Sequence, residues 1–191
     1  LEIIARDGPE GMKIDGGLVP PEADEIMMTL PLPPKTKEGF HTIKRVAAAR
    51  VAGQAVEREV VPTDEVMQAF IYMHLLPASE NILYAPKKPW ALPIKDLPNE
   101  IVIKPGTTNA LAFNCQGHKD KNSDLIIDLL SPPPGVSVSD GKLVDGQYVC
   151  SIQADAKAKP WKGNIVFQVF SANKNKKASR WLTGCLPAIP A

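Results

Sequence analysis

Three histidines, three cysteines, one acidic loop and three tryptophans are the residues of this chain whose types offer chemistry. Nucleophilic catalysis needs a base beside the nucleophile, commonly histidine, and a third group to orient it. His41, His74 and His118 lie in unrelated settings and none belongs to a recognisable motif, so the chain reads as a non-enzyme that calls for no cofactor. In Asp120-Lys121-Asn122-Ser123-Asp124, the oxygen-bearing residues Asp120, Asn122 and Asp124 stand at alternate positions. A calcium loop begins this way, because a hard cation takes six or more oxygens. The sixth position is Leu125 where such a loop has glycine, and the twelfth is Ser131 where it has glutamate, so a solvated loop is the expected state. Trp90, Trp161 and Trp181 present flat indoles of the kind that stack on sugars. Trp161 follows a proline beside a turn and Trp90 lies in a proline-rich crossing, which makes these two the ligand-stacking candidates. The plainer alternative is that they plug the ends of a β-sandwich and a contact between domains. Lys174, Lys176, Lys177 and Arg180 form a basic cluster at an expected hairpin tip, explained by a solvated tip that resists edge pairing.

Cys115, Cys150 and Cys185 all lie in the second half, at spacings that fit no zinc pattern. An odd number permits one disulfide and one thiol, or three buried thiols. Buried free cysteine in a β-core is the expected reading, with a disulfide from Cys115 to one of the others as its rival.

The elements that position these residues follow from composition and pattern. A chain of 191 residues fits one large or two small domains. Its 19 prolines are roughly twice ordinary usage, which suits short strands and stiff turns and opposes helical bundles. With 22 basic and 21 acidic residues, no field draws it to nucleic acid or to an anionic membrane. The longest apolar stretch, Val66 to Leu76, is interrupted by Gln68 and His74 and falls far short of the ~20 residues of a membrane span.

Laying Leu1 on Leu125 without a gap also puts Pro9 on Pro133, Gly11 on Gly135, Gly17 on Gly141, Lys35 on Lys159, Gly39 on Gly163 and Ala48 on Ala172. The apolar positions keep step: Met12 on Val136, Ile26 on Cys150, Met28 on Ile152, Ile43 on Phe167. Two copies of one β-domain are expected, the first incomplete at its N-terminus because Leu1 falls inside the second copy. The expected division is a partial domain with its joining segment over residues 1–79 and a complete domain over 80–191. Glu25 to Leu30 reads as a period-two strand, and Phe40 to Val51 with Gln54 to Val61 as a hairpin turning at Ala52-Gly53. Pro62 to Leu76 reads as a short helical turn capped by Asp64 running into a strand, with a continuous strand as the alternative. The second half reads as short strands over residues 100–104, 107–115, 125–130, 136–138, 147–154, 164–171 and 179–186. Short strands, alternation and no βαβ spacing predict an all-β chain of two tandem immunoglobulin-like antiparallel β-sandwiches.

At Pro133-Pro134-Gly135-Val136, at Pro9-Glu10-Gly11-Met12 and in the approach from Ala156 to Gly163, the chain resembles the bacterial immunoglobulin-like repeats of large secreted and cell-surface proteins. Val61 to Ala78 is similar to a join between such repeats. Asn122-Ser123 stand where family members usually have a Phe-Gly pair. The resemblance implies a structural or interaction module, the C-terminal part of a larger exported protein or assembly, placed outside the cytoplasm. Its partners would be other protein chains or upstream domains, and it brings no catalytic residues. The alternative is a carbohydrate-binding accessory module of a secreted hydrolase, with a glycan on Trp90 and Trp161.

Overall fold

The computed structural model describes residues 1–68, 71–87, 94, 96–115, 123–173 and 176–191. It is all-β, in several antiparallel sheets, with no helix among the described residues. Two compact units divide the chain: Leu1–Val19 with Leu30–Pro89, and Pro20–Thr29 with Trp90–Ala191.

The first unit carries β1 Glu2–Asp7, β2 Gly39–Thr42, β3 Lys44–Val51, β4 Gln54–Glu59, β5 Thr63–Gln68, β6 Tyr72–Pro77 and β7 Ile82–Ala85. β3 lies between β1 and β4. Ala52 and Gly53, with φ of 50° and 82°, close β3 on β4 as the expected tight turn. Positive φ at both central residues gives a turn whose twist matches that of the flanking strands. The expected arm from Phe40 to Val51 divides at Ile43, because β2 pairs with β7 while β3 stays with β1 and β4. The Ile43 amide donates to the Asn81 carbonyl at 2.8 Å, and its side chain is buried. Ile43 and Ala85 are the buried hydrophobic residues of this unit among the described ones.

Two sequence expectations are corrected here. Among its described residues Pro62 to Leu76 shows no helical turn: β5 and β6 form an antiparallel ribbon with Thr63 opposite Pro77 and Met67 opposite Met73. The side chains at both strands alternate across the pleat, and the Ala78 amide closes the ribbon's base on the Pro62 carbonyl at 2.8 Å. Glu25 to Leu30 forms no strand and joins no ladder, with a single bridge position at Thr29. It is flanked by Pro20, Pro21, Pro31, Pro33 and Pro34, which supply no amide to a ladder. Its hydrogen bonds go to the second unit's own groups instead: Asn164 Nδ2 donates to the Met27 carbonyl at 2.6 Å, and the Ala188 amide donates to Thr29 Oγ1 at 2.9 Å.

The second unit carries β8 Thr108–Asn114, β9 Ser123–Leu130, β10 Val136–Val138, β11 Lys142–Val144, β12 Gln147–Ala154, β13 Asn164–Asn173, β14 Lys176–Cys185 and β15 Ile189–Pro190. β12 pairs with β8, β10 and β11 in one sheet; β13 pairs with β9, β14 and β15 in the other. Strict alternation along β12 buries Tyr148, Cys150, Ile152 and Ala154. Tyr148, Cys150 and Ile152 join Phe113 and Cys115 from the first sheet, and Leu125, Ile127, Leu129, Ile165, Phe167 and Val169 from the second, in one core. The Phe113 and Phe167 rings meet edge to face with centroids 5.3 Å apart. Each large side chain so buried contributes ~1.5–3 kcal/mol, which is the main force holding the sheets together. Residues 100–104 form no strand, yet Ile101 is buried and its amide donates to the Pro190 carbonyl at 2.9 Å.

A tyrosine ties the two sheets. Tyr148, wholly buried on β12, accepts at its hydroxyl from the Ile127 amide on β9 at 3.1 Å and from the Gly141 amide at 3.2 Å. Position 141 has to be glycine, since a Cβ there would stand 2.3 Å from the Tyr148 ring.

The strand orders of the two units run in parallel across the sequence alignment. β1-β3-β4 corresponds to β9-β13-β14. Glu2 faces Ala48, whereas its counterpart Ile126 faces Phe170, the counterpart of Val46; a slip of two positions keeps every side chain on its face. No ladder in the first unit corresponds to β8, β10 or β12 among the described residues.

Candidate functional site

The turn before β10 and the loop from β12 to β13 build the site. The turn at Pro133-Pro134-Gly135 is closed by the Val136 amide on the Pro133 carbonyl at 3.0 Å, and Gly135 takes φ 81°. The Asp155 amide donates to the Gly135 carbonyl at 2.8 Å, which fastens the start of the 155–163 loop beside that turn. Gly163 at the loop's end exchanges both backbone hydrogen bonds with Ala191, at 2.9 and 3.0 Å. Trp161 is thus carried on a loop held at both ends.

The indole lies down on the chain beneath it. A Cβ at position 163 would come within 2.5 Å of Trp161 Cζ2 and 2.8 Å of Cη2, so only glycine admits this pose. The ring is 44% exposed, and its N–H has no hydrogen-bond partner among the described residues. Two concavities share it. A groove of about 970 Å³ runs past Ile101, Lys104, Lys162 and the Pro21–Glu25 segment. A recess of about 560 Å³ is lined by Pro133, Pro134, Asp155, Lys157 and Lys159. Volumes of this size, with apolar walls and a few polar groups, are those of small-ligand sites. Prolines beside a half-exposed indole can hold a flat apolar face, and the flanking ammoniums can hold an anion.

Of the residues singled out from sequence, Trp161 alone is placed in this site. Trp90, Asp120, Asn122 and His118 lie outside the described residues, as does Lys174. Asp124 is exposed on β9 opposite Ala172. Among the described residues no group of three or more His, Cys, Asp or Glu side chains is placed to hold a metal ion. Half-buried His41 meets the Lys37 carbonyl through Nε2 at 2.8 Å, and His74 is exposed on β6 opposite Val66. Trp181 is half-exposed on β14, opposite Ser171. Arg180 of the basic cluster sits over the Phe170 ring at 4.7 Å and 4.0 Å from Asp128.

All three cysteines are free; Cys115 and Cys150 are buried, while Cys185 is exposed rather than buried. Cys150 faces Leu111 across β8 and β12. Cys115 is four residues further along β8's line, roughly 13 Å at strand rise, well beyond the ~7 Å Cα limit for a disulfide. Burial pushes the Cys150 thiol up to about 11 and raises Cys115 as well.

Sequence reasoning missed Lys157, Lys162 and the acidic 22–25 segment as parts of the site. The available signal was the repeat itself, which marks Lys159 and Gly163 as positions occupied alike in both halves. No family model, no curated protein and no solved structure matches this chain. No helix among the described residues is long and apolar enough to cross a membrane.

Proposed function

We propose that the chain is a non-catalytic structural and interaction module of a larger exported protein or assembly, built from tandem immunoglobulin-like domains and working outside the cytoplasm. The pairings of the second unit support the domain type. One sheet joins β8, β12 and the short β10 and β11; the other joins β9, β13 and β14, the division that separates the ABED and CFG sheets of an immunoglobulin sandwich. The order β1-β3-β4 supports a related first domain.

The observation that carries the interaction role is an insertion. In the second unit β14 and β15 are separated by Leu186, Pro187 and Ala188, and β15 pairs with the start of β13. In the first unit β7 pairs with β2 in the corresponding place, but β4 and β7 are separated by residues 60–81, which form the β5–β6 ribbon. That ribbon exposes Val66, Met67, Ile71, Tyr72, Met73, Leu75 and Leu76 on its two faces. A lone two-stranded ribbon is marginal in water, and so large an apolar surface marks a place where protein meets protein. The occupant that fits is a second copy of the chain. β6 carries neither carboxylate nor ammonium, so two β6 edges meet about a two-fold axis without opposing like charges, whereas β5 carries Asp64 and Glu65. Sedimentation velocity over a concentration series tests this: the chain should self-associate, and the double variant Met73→Lys, Leu75→Lys should stay monomeric. A parent that is monomeric throughout the series refutes it.

A second reading is favoured by Trp161, half-exposed and lining two concavities. It is that of a carbohydrate-binding accessory module of a secreted hydrolase, with the indole as the stacking surface.

A further inference from the structure

We propose that the recess beside Trp161 takes an acidic glycan, one sugar ring stacking on the indole while its carboxylate meets the ammoniums of Lys157 and Lys159. The proposal rests on the glycan reading of this site and adds the charge of the ligand.

The indole lies against the backbone at Gly163, is half-exposed, and lines a recess together with Pro133 and Pro134. A rigid aromatic surface of this kind presents apolar area with little entropy to lose, which suits the C–H face of a pyranose. The ring N–H has no acceptor among the described residues and is available to a sugar hydroxyl.

Charge then selects the sugar. Lys157 and Lys159 line the recess, are exposed, and form no ion pair among the described residues. One carboxylate, Asp155, lines it with them, so two cations face one anion and the recess is left short of negative charge. Lys159 lies on both concavities; apart from it, the larger groove sets Lys104 and Lys162 against Glu22, Asp24 and Glu25, so no surplus positive charge is left there. An anionic group is therefore preferred on the recess side of Trp161, where charge-assisted hydrogen bonds to lysine would fix it. The groove on the other side, with no surplus positive charge, suits the hydroxyls of the next sugar.

The test is calorimetric titration of the full chain with a uronic-acid oligosaccharide and with the same oligosaccharide methyl-esterified at its carboxyls. The acid form should bind about tenfold more tightly than the ester, and its affinity should fall with added salt. Trp161→Ala should abolish binding of both forms. Lys157→Gln with Lys159→Gln, both exposed and structurally undemanding, should bring the acid down to the ester's affinity. Equal binding of acid and ester, abolished by Trp161→Ala, would overturn the charge inference and leave the glycan reading standing. Absence of binding to either form in the folded parent would overturn both.

Discussion

Replacing Tyr148 by phenylalanine removes one oxygen from the centre of the second unit and nothing else. The ring keeps its place on β12 against the core, so the loss is confined to the acceptor shared by the Ile127 and Gly141 amides. Those two donors differ in what replaces the hydroxyl. Ile127 is 3% exposed, so its amide is left without a partner and the full desolvation penalty applies, ~1–3 kcal/mol. Gly141 is half-buried and water can reach it, so its share is a few tenths, giving roughly 1.5–3 kcal/mol in all. For a unit of this size that corresponds to a fall in Tm of about 6–20 °C. Urea unfolding followed by near-ultraviolet circular dichroism gives the total, and amide hydrogen exchange gives the location. Ile127 should lose protection by orders of magnitude more than Gly141. If the variant unfolds within ~0.5 kcal/mol of the parent with Ile127 still protected, the hydroxyl is not the tie between the sheets and the reasoning fails.

Alkaline sensitivity follows from the buried thiol. An unfolded cysteine titrates near 9, and burial holds Cys150 protonated to about 11 in the folded chain. Because the folded value is the higher one, the stabilisation is complete below about pH 9 and is lost as pH rises through about 11, at most roughly 2–3 kcal/mol. Tyr148 and Cys115, both raised mainly by burial, act in the same direction. Cys150→Ala should flatten part of this decline in urea midpoint between pH 8 and 10.5; an unchanged decline would count against it. Gly163→Ala forces a methyl into the Trp161 ring at 2.5 Å, so the indole must swing off the loop. A red-shifted tryptophan emission with ~1–3 kcal/mol lost is expected, and a parental spectrum would show that the ring does not lie where it is described.

The parts of the fold legible in sequence were those whose local signals agree with their packing. β12 alternates because one face meets the core, and the β3–β4 turn is written in Ala52-Gly53, so both were found within a residue or two. β11 and β15 escaped notice because strands of three and two residues carry almost no period, whereas the equally short β10 was marked by the proline-glycine turn that precedes it. The β5–β6 ribbon failed for a different reason. Apolar residues on both of its exposed faces blur the period-two signal into a run that also satisfies a helix, and the choice is made by cross-strand pairing that a window of sequence does not contain. Glu25 to Leu30 has a true period-two pattern, but a pattern needs a neighbouring strand, and the hydrogen bonds there go to Asn164 and Ala188. At the site, Trp161 was recognisable by type, whereas Lys157 and Lys159 acquire meaning only beside the Pro133 turn, over twenty positions away in sequence.

Edges separate the two readings of the molecule more sharply than cores do. β9 pairs on one side with β13, and along it Tyr148 takes the Ile127 amide while Asp128 Oδ1 takes the Leu129 amide at 2.8 Å. A strand with its donors so occupied offers little to an incoming chain. β6 has no such guard: among the described residues its ladder runs to β5 alone, and no side chain caps its amides. The same sequence therefore closes one edge with buried tyrosine and local carboxylate and leaves another open, apolar and uncharged. A ribbon retained in that state within an insertion is better explained by an addition that completes it than by packing in the isolated chain. The lysine variant at Met73 and Leu75 is decisive for this reason: it adds charge to the open edge and touches nothing in either core.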